Sequence, residues 1–366
     1  MGVYEDLGIR PLINAWGTVT AVGGSLMAPE VLEAMREAST AFVDLHELHR
    51  RAGESIAADL GVAAACVTSG AAAGLTIAAA ACMTLGASGR RLQLPDTTGL
   101  PDECLIGSRH RNRYDRAVSL SGARLVELPA STAATIDDVR RAVTGRTAMF
   151  LYLAESESLP GLPSLSAVAA VMKESGVPVV VDAAAEVPPR TNLARYLDDG
   201  ADLLILSGGK EIRGPQSSGL ILGSTDLVAE CAAHSFPNHG IGRGMKTDKE
   251  TIAGLVKAVG LFARRDERAQ LESWGSTVDG IVRSLNAHPR MRARRHIPSA
   301  PGIQPTIIPR VYVRPTHRTA EEVAATLRDG DPAIVVGLDD GELAINPQCL
   351  APEQIPILVR AIEKAC

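Results

Sequence analysis

The 366-residue sequence predicts an α/β fold: a large domain on a mostly parallel sheet, then a small C-terminal α+β domain. Three observations predict it. Short, continuously apolar runs alternate with helical segments, as in a parallel sheet covered on both faces. The composition is 46% hydrophobic but only 3% aromatic, so small aliphatic side chains fill the interior and suit helices packed tightly on a sheet. The length is that of two domains of ordinary size.

The first segment, with Ile13-Asn14-Ala15, Gly17-Thr18 and Gly23-Gly24, reads as irregular. A helix follows over 29–41 with Pro29 near its start, and another over 45–60 that Gly61 stops. The alternation then begins. Residues 64–68 form a strand, Ser69-Gly70 a turn, and the Ala-rich stretch 71–85 a buried helix. Strands at 125–128, 147–153, 177–181, 203–206 and 219–222 are interleaved with helices at 136–143 and 165–175. A long helical stretch over 247–286 carries Ile252, Leu255, Val256, Val259 and Phe262 at helical spacing and links the large domain, 1–246, to the small one, 247–366. Segments 305–313, 320–327, 333–336, 342–345 and 352–364 supply the small domain. In such sheets ligands gather at the carboxyl ends of the strands.

Charge and composition exclude several classes. The net charge is −5, which disfavours nucleic acid despite the basic run Arg109-His110-Arg111-Asn112-Arg113. Six cysteines form no CxxC pair, so neither a disulfide framework nor a zinc site is expected, and no metal. The N-terminus lacks a signal pattern, and 71–85 is too short and too rich in small residues to span a bilayer. A cytoplasmic protein with reduced thiols is expected.

Three features carry chemistry. The apolar run Leu203-Leu204-Ile205-Leu206 ends in Ser207-Gly208-Gly209-Lys210. The two glycines allow close approach of backbone and ligand, and the lysine can hold an aldehyde cofactor as a Schiff base. Asp182 ends the run Val177-Pro178-Val179-Val180-Val181, 28 residues earlier, where a carboxylate can pair with a protonated pyridine nitrogen. Thr68-Ser69-Gly70-Ala71-Ala72-Ala73-Gly74 opens a helix directly after a strand, which makes its free N–H groups an anion site. Singly, each has a plainer reading: a surface lysine, a helix N-cap, a helix start without a ligand. Together they follow the order and rough spacing of fold type I enzymes that use pyridoxal 5′-phosphate (PLP).

The sequence resembles the SelA-like family, which groups selenocysteine synthase with D-glucosaminate-6-phosphate ammonia-lyase. The likeness runs to about Lys257. It rests on Ile13-Asn14-Ala15, Gly23-Gly24-Ser25-Leu26-Met27, the Thr68–Gly74 turn, His110-Arg111-Asn112-Arg113-Tyr114-Asp115, Val181-Asp182-Ala183-Ala184-Ala185, Ser207-Gly208-Gly209-Lys210, Gly214-Pro215-Gln216-Ser217-Ser218-Gly219 and Gly242-Arg243-Gly244-Met245-Lys246. It implies a fold type I homodimer or larger assembly with active sites at subunit interfaces. His110 would stack on the cofactor ring. Ser69, Gly70 and Ala71 would hold the phosphate, helped by Ser207. Arg243 and Lys246 would face an anion, either a neighbour's cofactor phosphate or an acidic substrate group. Arg111, Gln216 and Lys246 are candidates for substrate contact. Two departures stand out. Glu186 follows the Asp-Ala-Ala-Ala run where relatives often carry Gln. The stretch Ile334–Asp340 offers no Arg for a substrate carboxylate, whereas Arg310 and Arg314 lie nearby in sequence.

The expected chemistry is removal of the Cα proton of an amino acid or amino-sugar acid by Lys210, followed by α,β-elimination of the ammonia-lyase type. The alternatives are a racemase or epimerase, an aminotransferase, a selenocysteinyl-tRNA-type transferase, and a non-catalytic binding protein of the same fold. The acidic chain, starting directly at its core, argues against the tRNA-dependent transferase.

Overall fold

A computed structural model describes residues 2–129, 134–298 and 305–366. Among the described residues, twelve strands fall into two sheets: β1 (Leu12–Ala15), β2 (Ala64–Thr68), β3 (Glu103–Gly107), β4 (Arg124–Leu128), β5 (Thr147–Leu153), β6 (Val179–Asp182), β7 (Leu203–Ser207), β8 (Gly219–Gly223), β9 (Met291–His296), β10 (Arg310–Pro315), β11 (Ala333–Asp339) and β12 (Glu342–Ile345).

The larger unit is built on Met27–Arg265. Its seven strands run in the order β2-β8-β7-β6-β5-β3-β4. All pairs are parallel except those of β8, which is antiparallel to both β2 and β7. Strands β3, β5 and β8 are buried along their whole length, which fits their apolar runs; Glu103 and Thr147 are the polar residues that open β3 and β5. The helix Ala71–Thr84 is buried from Ala73 to Thr84, as its uncharged, mostly apolar sequence allows. No described helix is long and apolar enough to cross a membrane.

The smaller unit combines Met1–Leu26 with Asp266–Ser299 and Pro305–Cys366 around a five-stranded sheet, β1-β11-β12-β10-β9. The N-terminal segment is therefore not irregular. Ile13 and Ala15 are buried in the small core, and β1 pairs in parallel with β11. Asn14 ends the strand: its Oδ1 accepts from the N–H groups of Trp16 and Gly17 at 2.9 and 3.2 Å.

The long helical stretch is two helices, Lys249–Arg264 and Glu267–Asn286. Asp266 caps the second by accepting from the Ala269 N–H at 3.0 Å. Ile252, Leu255, Val259 and Phe262 join the large core, whereas Val278, Ile281 and Leu285 join the small one. The division thus falls at 265/266 rather than at 246/247, and residues 1–26 go with the C-terminal part. All six cysteines are unpaired, and all but Cys349 are buried.

Candidate active site

Strand register gathers the site. Thr68 of β2 pairs with Gly219 of β8, and Gly219 pairs with Ser207 of β7. Asp182 of β6 pairs with both Ile205 of β7 and Leu153 of β5. The carboxyl ends of β2, β7, β6 and β5 therefore lie along one edge, with neighbours about 4.8 Å apart. The segments that leave this edge carry Ser69-Gly70-Ala71, Lys210, Asp182 and Glu155. The parallel strand β3 ends beside β5 and leads to His110.

Glycines set two of these segments. A side chain on Gly209 would meet Gln216 Cα at 2.5 Å, so the turn before Lys210 lies directly on the segment that precedes β8. The Gly208 N–H donates to the Ser218 carbonyl at 2.9 Å, which closes the turn. A side chain on Gly219 would meet the Gly70 carbonyl carbon at 2.5 Å and the Ala71 nitrogen at 2.8 Å. Gly70 has φ +111°, and no side chain caps the helix that starts at Ala71. Its first N–H groups are left for an anion.

The electrostatics pair a base with acids. Burial pulls the Lys210 ammonium below its ordinary value, against the opposing charges of Asp182, Glu155 and Glu186. Desolvation pushes the Asp182 carboxyl up to about 6, although the Ala184 N–H donates to it at 3.1 Å and Lys210 attracts it. Asp182 is thus poised to form an ion pair with a protonated nitrogen brought into the site.

His110 is 1% exposed. It meets Tyr152 edge-on, with ring centroids 5.9 Å apart, and burial lowers its pKa. Both its ring nitrogens are buried without a hydrogen-bond partner among the described residues, an arrangement that ordinary interiors avoid. The orphaned imidazole, the half-buried Lys210, the desolvated Asp182 and the uncapped helix start fit a phosphorylated pyridine aldehyde such as PLP.

Other expected site residues are placed differently. Arg111 is committed to Asp115 and Glu127, so it shapes the loop after His110. Gln216 is exposed, with its backbone against Gly209. Arg243 and Lys246 are exposed and stack on the Phe236 ring at 5.0 and 5.5 Å, with no described contact to Lys210. Arg310 is buried in the smaller unit, and desolvation lowers it to about 10. Glu155 and Asn112 escaped the sequence reading as site residues. Their signal is positional: Glu155 lies two residues past a buried strand, and Asn112 two past His110.

The family described as L-seryl-tRNA selenium transferase (SelA) matches residues 12–274. A 5′-C-glycyluridine monooxygenase-decarboxylase from Streptomyces sp is 34% identical over 99% of this chain and 91% of the relative. The D-glucosaminate-6-phosphate ammonia lyase of Salmonella typhimurium is 30% identical over 99% of this chain and 97% of the relative. A solved structure of a D-glucosaminate-6-phosphate ammonia-lyase superposes with a TM-score of 0.87 at 29% identity, covering 100% of this chain and 98% of the other. A PLP-containing serine palmitoyltransferase from S. paucimobilis, 14% identical with a TM-score of 0.59 over 97% of this chain and 86% of the other, shares the fold alone. The chain belongs to the SelA family, on the α/β fold of the type I PLP-dependent enzymes.

Proposed function

We propose that the chain is a PLP-dependent lyase that removes the Cα proton of an amino acid or amino-sugar acid and expels the substituent on Cβ. The observation that carries this reading is the placement of Lys210 beside Asp182 at adjacent strand ends, with opposed pKa shifts. The whole-length likeness to the ammonia lyase supports the choice of elimination.

Bound PLP would supply an electron sink for the charge left on Cα. Lys210 would anchor it. Once free, Lys210 is a suitable base for the Cα proton, because burial favours its neutral amine. Asp182 would hold a proton on the pyridine nitrogen. The N–H groups of the Ser69–Ala71 turn and the Ser69 hydroxyl would bind the phosphate, with Ser207 nearby, and His110 would cover one ring face. Arg243 and Lys246, exposed and without an acidic partner among the described residues, fit a role across a homodimer or larger assembly.

The test is incubation of the PLP-loaded protein in deuterated water with D- and L-amino acids and D-glucosaminate 6-phosphate, followed by NMR. Release of an oxo acid and ammonia supports elimination. Cα exchange with inversion and no oxo acid points to a racemase. Loss of the carboxyl group points to chemistry like that of the decarboxylase relative.

A further inference from the structure

The turn after β6 holds a carboxyl that the reading above leaves unused. Glu186 lies four residues beyond Asp182 and is 8% exposed. Its N–H donates to the Ala183 carbonyl at 3.1 Å, and its own carbonyl accepts from Asn192 Nδ2 at 2.6 Å. The backbone is fixed, yet the side chain has neither hydrogen bond nor ion pair among the described residues.

Its charged surroundings are mostly acidic. Glu155, Asp182, Lys210 and Glu157 act on it in that order of strength. Tyr196, on the helix Asn192–Asp198, faces it as well. Glu157 is already engaged by Arg195 at 2.8 Å. A carboxylate here would be desolvated, repelled by its neighbours and without a donor, whereas the neutral acid escapes the repulsion and most of the desolvation cost. Burial, then Glu155 and Asp182, push Glu186 up to about 7. Lys210, across the same cluster, is shifted the opposite way. Burial thus favours the neutral form of both the amine and the acid in one cluster, the direction that acid–base catalysis uses.

We propose that Glu186 donates its carboxylic proton to the group that leaves Cβ. This rests on the elimination reading. For a β-hydroxy substrate, Lys210 Nζ takes the Cα proton. The Cβ–O bond breaks, its electron pair goes to oxygen, and the Glu186 proton joins that oxygen so that water departs. Glu186 is left as carboxylate, and the proton gained by Lys210 restores it. One proton leaves carbon and one reaches oxygen, so both side chains return to their starting states.

The leaving group separates this role from mere space-filling, because hydroxide needs a proton and chloride does not. The PLP-loaded wild type, E186Q and E186D are compared on β-hydroxy substrates (D- and L-serine, threonine, D-glucosaminate 6-phosphate) and on β-chloroalanine. E186Q is expected to lose roughly 10²-fold or more on the hydroxy substrates, the usual worth of a general acid. It should keep β-chloroalanine turnover and Cα–deuterium exchange, and E186D should recover part of the loss. Equal loss on both leaving groups, or no loss, overturns the proposal.

A second readout needs no turnover. The infrared difference between wild type and E186Q at pH 6 should contain a carboxylic-acid C=O band that converts to carboxylate as the pH rises through about 7. A carboxylate already present at pH 6 overturns the proposal. Failure of the wild type to exchange any Cα hydrogen would overturn the elimination reading instead, and the infrared result would then decide the state of Glu186 alone.

Discussion

Asn112 Nδ2 donates to Glu155 Oε1 at 2.7 Å, tying the loop after His110 to the segment that follows β5. The loop also closes on the buried Asp115, which accepts from the Asn112 N–H at 3.1 Å. The loop that follows His110 is thus pinned by side-chain bonds, beside the edge-on contact of His110 with Tyr152. Asn112→Ala removes a hydrogen bond to a carboxylate, worth about 1.5–3 kcal/mol. The melting temperature should fall by several degrees, and PLP affinity, followed by absorbance titration, should fall about 10-fold or more with it.

Asp182→Asn keeps the shape but removes the charge that would pair with the pyridine nitrogen. Turnover should fall by on the order of 10²-fold or more, as for other preorganised groups that act on developing charge. Cofactor retention should survive, so gel filtration of the loaded variant followed by rate measurement checks both halves of the statement.

Gly219→Ala should injure the phosphate turn from outside it. The new methyl would meet the Gly70 carbonyl carbon at 2.5 Å and the Ala71 nitrogen at 2.8 Å, both backbone atoms. Overpacking of this kind costs about 1–3 kcal/mol. PLP affinity and melting temperature should drop together, and addition of excess PLP should recover part of the lost stability.

Glu186 makes stability depend on pH. Its folded value lies above the ordinary 4.5, at about 7. The stability it contributes is therefore fully present below about pH 4.5 and is lost as the pH rises through about 7. The loss is on the order of 3 kcal/mol. Glu186→Gln stays neutral, so its melting temperature should match the wild type near pH 4 and exceed it by pH 8. A difference that does not change with pH would contradict a raised Glu186.

Much of this was legible in the sequence because small and polar residues directly follow apolar runs. Lys210, Asp182 and the Ser69–Ala71 turn announce themselves that way. The β3 strand does not, since it begins at Glu103 just after Asp102. Both are buried acids neutralised by Arg124 and Arg146, which are distant in sequence. Pairing of β1 with β11 spans more than 300 residues and leaves only four residues of pattern to read. The break at Arg265–Asp266 was visible as an N-cap signal, but helical periodicity on both sides concealed it. Glu155 and Glu186 carry only a positional signal, close after the ends of β5 and β6. Their importance arises only when β5, β6 and β7 end side by side.

The most direct test concerns Lys210. The PLP-loaded protein is reduced with borohydride, digested, and the phosphopyridoxyl group located by mass spectrometry. It should sit on the peptide containing Lys210, and Lys210→Ala should carry none and show no Cα exchange. A protein that takes up no PLP, or a label fixed on another lysine, would contradict the role assigned to Lys210.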